Sequence, residues 1–374
     1  MAPRWATDRH QRQEYQRLRK VVALGTFSSD AISSTAYATE EILLGRSTMT
    51  DSLRQQPAAD AYGADRLALH LLGATQAAAL ACVPWVGRGD KEAADGAAVA
   101  AMQDVLGTVP GRGRVVIGEG EKDEAPMLYT GEEVGDGDGP AFELAIDPLE
   151  GTDYCASGLD GAIAVLAVGP PGSLWATSGY YMDKLIVGPG AKGTVDVNAP
   201  VDHNLDRVSE ALGKEVSDLV VVVLDKPRHE EVIAHIRQRG AGVLAVPAGD
   251  VMGSLRVLLP NGGADLALGV GGTPEGVITA CVTRLLGGDM QAKLAPQSDE
   301  ERAGLEADEA ELDRVLTVED LVRSADCAFI VTGITSNSLL PAPEQTAWGW
   351  RTHSFVVTAR HPGLFVEALP GSRR

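Results

Sequence analysis

From about residue 65 onward, the apolar positions of this chain switch between helical and strand spacing, with Gly or Pro at many of the switches. Residues 66–85 and 95–106 (DGAAVAAMQDVL) carry apolar side chains at intervals of three and four, which predicts two helices. Short apolar runs at 115–117, 142–146 and 162–168, closed by Gly or Pro, predict strands. After residue 200 the pattern settles into strand–helix units: LVVVVLD (219–225) then HEEVIAHIRQRG, VLAVP then DVMGSLRVLL, and DLALGVGG then PEGVITACVTRLLGG. Such units predict a mostly parallel sheet with helices on its faces and ligands at the carboxyl ends of its strands. The charged piece 298–315 predicts a solvated loop and helix, and 327–334 and 354–360 predict late strands returning to the body. No solenoid repeat is present.

The first 48 residues do not share this pattern. A polar, basic opening is followed by VVALGTFSSDAISSTAYATEEILL (21–44), which lacks a cleavage signature and is too interrupted to span a bilayer. Residues 21–44 resemble the N-terminus of amino acid permeases, yet no further transporter-like segment follows. Residues 1–48 are therefore expected to be an extension foreign to the rest, a fusion scar or an early start, with Met49 opening the protein proper. The remainder is long enough for two α/β units, 49–198 carrying metal-binding residues and 199–374 completing a substrate site.

Composition narrows the function. With 44% hydrophobic and 22% charged residues the chain reads as globular, and 52 acids against 32 bases give a net charge of -20. That balance argues against nucleic-acid or anionic-membrane surfaces, so an anionic substrate needs locally recruited cations. Four dispersed cysteines without a CxxC predict reduced thiols buried in a cytoplasmic protein. The uncharged run 67–87 approaches the length of a span, but Ala-richness, His70, Gln76 and Pro84 favour a buried helix.

Acids flanked by glycine fall at four predicted element ends: GRGDKEAAD (87–95), IGEGEKDEAP (117–126), DPLEGT (147–152) and GVGGTPEG (269–276). One such junction is as readily a turn or a helix cap. Four together bring like charges that need a cation, and hard oxygen donors without convergent Cys or His select Mg²⁺ or Mn²⁺. Within DPLEGT, Pro148 holds Asp147 extended, the Leu149 carbonyl is expected to be free for a cation, and Gly151 allows a tight turn. The amides of Gly151 and Thr152 are expected to open a helix that seats phosphate, and the Thr152 hydroxyl to orient a water. Together these describe metal-assisted phosphomonoester hydrolysis.

The motifs WVGRGDKEAADGAAV, VVIGEGEKDEAPMLYTGEEVG, DPLEGT, YMDKLIVGPGAKGTVDVN, DKPRHEEVI and GVGGTPEGVITA closely resemble those of class II fructose-1,6-bisphosphatases of the GlpX type, in the inositol monophosphatase and sugar phosphatase superfamily. The resemblance runs from about Asp65 to about Arg360. It implies a mixed α/β fold, the layered αβαβα sandwich of the sugar phosphatases, and release of the 1-phosphate of fructose 1,6-bisphosphate. By the same resemblance, Asp95 and Thr152 act on the attacking water, and Asp95, Glu119, Asp147, Glu150 and Glu275 hold the metals. Gly151, Thr152, Tyr181, Lys226, Arg228 and Asp250 bind substrate. Asp90, Lys91, Asp123 and Lys184 are further candidates. A sugar bisphosphate partner and a homo-oligomer are expected.

Two positions depart from the family pattern. Ala248 replaces the first acid of a DGD motif, bearing on sugar hydroxyl recognition, and Gln76 replaces an acid on the first helix. Blander readings accompany several sites: Lys226 and Arg228 as a solvated helix start, His229 as a helix-start residue and not a catalyst, Tyr180 and Tyr181 as packing aromatics, and GPGAKG (188–193) as a connection. Competing functions are a dual fructose-1,6-/sedoheptulose-1,7-bisphosphatase, an inositol monophosphatase, a sugar-phosphate sensor without turnover, and a membrane-associated fragment defined by the permease-like N-terminus.

Overall fold

The alternation of side chains along two β-sheets sets the architecture seen in the computed structural model, which describes residues 63–118 and 127–368. The segment 1–48, Glu119 and Asp123 lie outside the described residues. The first sheet contains β1 (Arg112–Ile117), β2 (Glu133–Val134), β3 (Ala141–Glu150), β4 (Ile163–Gly169), β11 (Ala328–Gly333), β12 (Glu344–Thr346), β13 (Gly349–Thr358) and β14 (Leu364–Ala368). Its order is β12-β13-β11-β4-β3-β1-β2, with β14 also on β13. The second sheet has the order β10-β9-β5-β8-β6-β7, from β5 (Tyr181–Val187), β6 (Val220–Leu224), β7 (Gly242–Val246), β8 (Leu266–Gly272), β9 (Asp289–Leu294) and β10 (Leu316–Thr317).

Both sheets are apolar on both faces, so both must be covered twice. On β3 and β4, Leu144, Ile146, Leu166 and Val168 join one core with α1 (Ala64–Cys82) and α2 (Lys91–Leu106). Their alternates Ala145, Val165 and Ala167 join a second core with α6 (Asp250–Leu258), α7 (Thr273–Leu286) and α9 (Val318–Leu321). Ile186, Val222 and Ala267 reach that same core from the second sheet, while Leu185, Val187, Val221 and Val223 face outward onto α4 (Val201–Leu212) and α5 (Glu230–Gln238). The layers thus run helix, sheet, helix, sheet, helix: the mixed αβαβα sandwich. The chain also carries α3 (Thr152–Ser157) and α8 (Asp299–Ala307).

One expectation is corrected. The second sheet is mixed: β6 pairs parallel with β7 and β8, but β5 pairs antiparallel with both β8 and β9. The strand–helix units at 219–288 fold as the pattern predicts; β5 comes from before them and inserts beside β8, a pairing local periodicity does not encode. Helix α1 has the length and composition of a membrane span, but Leu67, Leu71, Ala74 and Ala78 are buried in the core it shares with α2 and the first sheet. Cys82, Cys155, Cys281 and Cys327 are buried free thiols.

Candidate active site

A bulge in β3 puts the two acids of DPLEGT to use. Asp147 pairs with Val165 and Glu150 with Ile163, so three steps along β3 match two along β4. In a regular strand, residues three apart point to opposite faces. The extra residue at Pro148–Leu149 restores parity, and Asp147 and Glu150 share the face of Ile163 and Val165 toward the central layer. Pro148 has no N–H to lose from the ladder. The Leu149 N–H donates to Asp147 Oδ1 (3.0 Å), fixing that carboxylate. The Leu149 carbonyl is not free as expected: it accepts the Thr152 hydroxyl at 3.1 Å, which aims that hydroxyl and leaves one carbonyl lone pair. Gly151 adopts φ 82°, and α3 begins immediately after it without a side-chain cap.

Asp147, Gly151 and Thr152 line a cleft of about 230 Å³ that is also lined by Ser178, Gly179 and Tyr180 and by Glu275 at the start of α7. Further strands end near residues that touch it, although Tyr181, Lys226, Arg228 and Asp250 are not themselves among its lining residues. Lys226 and Arg228 follow β6, Asp250 follows β7, and Glu275 follows β8. Tyr181, the first residue of β5, pairs with Gly272 of β8, and the Arg228 guanidinium lies 5.5 Å from the centre of its ring. Arg228 also donates to the Val270 carbonyl (2.9 Å).

Beneath the cleft lies a concentration of buried charge. Glu150 is 3% exposed; its Oε1 accepts the Val251 N–H at 2.8 Å, and its Oε2 has no partner among the described residues. Burial, then the negative charges of Asp250 and Glu275, push its carboxyl well above the usual range, against the Val251 hydrogen bond and the Lys184 charge. Asp250 forms a short ion pair with buried Lys184, whose ammonium also donates to the Gly272 carbonyl (2.9 Å), and Asp250 Oδ1 has no described partner. A Cβ on Gly271 would collide with that pair, so the glycine lets the strand approach it.

Orphaned buried carboxylate oxygens and mutually repelling acids are what a hard divalent cation would satisfy. Among the described residues, no three His, Cys, Asp or Glu side chains form a ready-made metal cage. The donor chemistry of Asp147, Glu150 and Glu275 nevertheless fits one. Glu119 lies outside the described residues, as does the weaker candidate Asp123. Asp95 sits half-buried on α2, where its charge adds to the Cys155 hydrogen bond and the burial that raise the Cys82 thiol, and it is not among the residues lining the cleft.

Several candidates have structural duties. Asp90 caps α2, accepting the Ala93 N–H at 3.0 Å. His229 is buried, its Nδ1 bonded to the Leu224 carbonyl (2.8 Å) and its Nε2 accepting the Val270 N–H (2.8 Å), which defines a neutral imidazole tying the DKPRH turn to β8. Burial, then the Arg228 charge, lowers its pKa. Ala248 donates its N–H to the Tyr154 hydroxyl (3.4 Å). Gln76 is buried with its amide nitrogen unpartnered among the described residues, and nothing in the structure explains it.

Asp153 was not singled out by sequence. It forms an ion pair with Lys91 and lies 4.0 Å from Lys226, so Lys91 and Lys226 both approach the residue after Thr152. Its carboxyl is held below the ordinary range chiefly by the Lys91 hydrogen bond. The available signal was its position directly after DPLEGT.

An acidic cleft lined by Asp147, Thr152 and Glu275 and set between two sheets is the site of a phosphatase of the layered α/β class. Residues 65–364 match the family described as "Bacterial fructose-1,6-bisphosphatase, glpX-encoded". The chain is 47% identical over 287 residues to the class 2 fructose-1,6-bisphosphatase of Haemophilus influenzae, covering 73% of this chain and 86% of that protein. It is 48% identical over 287 residues to fructose-1,6-bisphosphatase 1 class 2 of Escherichia coli K12, covering 73% and 85%. The chain belongs to the bacterial glpX-encoded fructose-1,6-bisphosphatase family, a family of metal-dependent phosphatases.

Proposed function

We propose that this chain hydrolyses the 1-phosphate of fructose 1,6-bisphosphate, giving fructose 6-phosphate and inorganic phosphate, with Mg²⁺ or Mn²⁺ as its cation. The observation that carries this reading is the β3 bulge, which turns Asp147 and Glu150 to one face beside a cleft also lined by Glu275. Asp147, Glu150 and Glu275 would hold the cations, joined by Asp95 and Glu119 on the family resemblance. When bound, such cations neutralise phosphoryl charge and acidify a water.

The chain's own groups supply positioning. The Thr152 hydroxyl, anchored on the Leu149 carbonyl, is aimed to orient the attacking water, and Asp95 is assigned the proton from it. The turn at Gly151 opens α3, and the amides of Gly151 and Thr152 would be offered to the reacting phosphate. Lys226, Arg228 and Tyr181 take the sugar and the phosphate that is retained, with Asp250 on a sugar hydroxyl. Lys184 offsets the Asp250 charge, and Lys91 is held by Asp153. Cytoplasmic residence is supported by the four free thiols. A homo-oligomeric state is supported by exposed Trp348 and Phe365 at one side of the first sheet.

The test is phosphate release from fructose 1,6-bisphosphate, with Mg²⁺ or Mn²⁺ and then with EDTA, by the full chain and by a version starting at Met49. Cation-dependent release, equal in both, supports the reading. No release from folded protein sinks it and directs attention to sedoheptulose 1,7-bisphosphate or inositol phosphates, with Ala248 as the first position to exchange.

A further inference from the structure

Helix α8 lies outside the motifs that mark the family, yet it holds the cleft wall through a buried acid. Glu301 is 7% exposed. Its Oε1 accepts the N–H of Tyr180 at 2.8 Å and of Tyr181 at 3.1 Å, and its Oε2 accepts the N–H of Gln297 at 2.8 Å. Three amides on one carboxylate are more than a helix cap needs, because α8 is already capped by Ser298, whose hydroxyl accepts the Glu301 N–H. At the far end of α8, Asp308 accepts the Ser178 hydroxyl at 2.6 Å. Between these ties the wall is pressed onto β9 and the helix: a Cβ on Gly179 would lie 2.7 Å from Leu294 of β9 and 3.3 Å from Leu305 of α8. Ser178, Gly179 and Tyr180 line the cleft. The Tyr180 carbonyl accepts the Thr273 N–H (2.9 Å), so the same strip also abuts the turn that carries Glu275.

We infer that Glu301 is a positioning residue for substrate binding: it sets the backbone of residues 178–181, and with it Tyr181, at the height where the sugar bisphosphate is gripped. The inference rests on the bisphosphatase reading above and concerns a stretch lining the same cleft as Asp147 and Thr152, not the residues that act on the reacting phosphate. Loss of Glu301 therefore weakens binding in ground and transition state alike, a rise in KM with kcat retained.

The test is steady-state kinetics of the full chain on fructose 1,6-bisphosphate with saturating divalent cation, for wild type, Glu301→Ala, Glu301→Gln, Asp308→Asn and Ser298→Ala. Glu301→Ala is expected to raise KM roughly ten-fold or more at near-normal kcat, the scale of lost charge-assisted hydrogen bonds. Glu301→Gln, which keeps one acceptor oxygen, and Asp308→Asn should raise KM less. Ser298→Ala removes the helix cap but leaves the carboxylate, and should lower thermal stability without moving KM. An unchanged KM in Glu301→Ala, an equal rise in Ser298→Ala, or a fall in kcat with unchanged KM would overturn the inference. If Glu301→Ala does not fold, Glu301→Gln and Asp308→Asn decide by the same criteria. A wild type inactive on fructose 1,6-bisphosphate overturns the substrate reading and this inference with it; an active wild type with unmoved variants overturns this inference alone.

Discussion

Replacing Glu150 with Gln separates the cost of building the site from its use. In the cation-free protein, Glu150 Oε2 is buried without a described partner, and its charge is opposed by burial and by Asp250 and Glu275. Glutamine keeps the oxygen that accepts the Val251 N–H and removes the charge. The amide nitrogen that replaces Oε2 is equally buried, so the gain comes from removing a desolvated charge that Asp250 and Glu275 oppose; with desolvation of a buried group costing about 1–3 kcal/mol, the variant is expected to gain on that order in the presence of chelator. With an unfolding entropy of about 2.1 cal/mol/K per residue across Ala59–Arg374, that is roughly 2–4 °C in Tm. The sign with pH follows from the raised carboxyl: the folded state holds the proton more tightly than the unfolded chain. The wild-type penalty is therefore absent below about 4.5, the ordinary glutamate value, and accumulates as pH rises. The assay is thermal unfolding of both proteins in EDTA at several pH values, with phosphate release measured separately in Mg²⁺ or Mn²⁺. The variant should be the more stable at pH 8, lose that advantage toward acid, and be nearly inactive with cation. A variant less stable than wild type in EDTA at pH 8 would refute the reasoning, since Glu150 would then be satisfied within the protein.

Further expectations are independent of that one. Asp147→Asn preserves an oxygen for the Leu149 N–H but removes a ligand charge, so turnover should fall by about 10²–10³-fold with little change in Tm, the scale seen when one electrostatic contact is lost from an active site. Gly271→Ala would drive a methyl into the Lys184–Asp250 pair; breaking a buried pair costs about 3–5 kcal/mol, which chemical denaturation would register. His229→Ala strands the Val270 N–H, while the Leu224 carbonyl keeps the Lys226 N–H; the loss should cost about 1–3 kcal/mol and raise KM by loosening the Lys226–Arg228 turn. Because the His229 pKa is lowered, its contribution to stability is complete above about 6.5 and is lost as pH falls below that, so wild type should lose stability toward pH 5 more steeply than His229→Ala.

The strand–helix units between 219 and 288 were legible because each buries a continuous apolar run between helices, which local period records. The pairing of β5 with β8 was not, because seven residues of β5 look the same whichever neighbour and direction they take. At the site, the acids of DPLEGT and TPEG stood out as charge placed where an apolar element ends. The sequence could not show that Asp147 and Glu150 share a face, since their spacing alone puts them on opposite ones. Glu301 was hidden for another reason: it reads as one acid in a solvated run, and two of its three amide partners lie 120 and 121 residues earlier in the chain.

The bulge at Pro148–Leu149 makes the chemistry a matter of parity. Deleting one residue there would allow β3 and β4 to zip without interruption, giving a more regular sheet. At full length, straightening the strand would send one of the two acids into the apolar core beneath α1 and α2; with one residue removed, the acids stand two apart and keep a common face. What that deletion takes away is the anchor: the Leu149 N–H that fixes Asp147 and the carbonyl that holds the Thr152 hydroxyl. Between Asp147 and Glu150, then, spacing and bulge are linked, the odd spacing requiring the bulge and an even one dispensing with it. A library of length variants across residues 147–151 would separate what the shared face supplies from what the anchored loop adds.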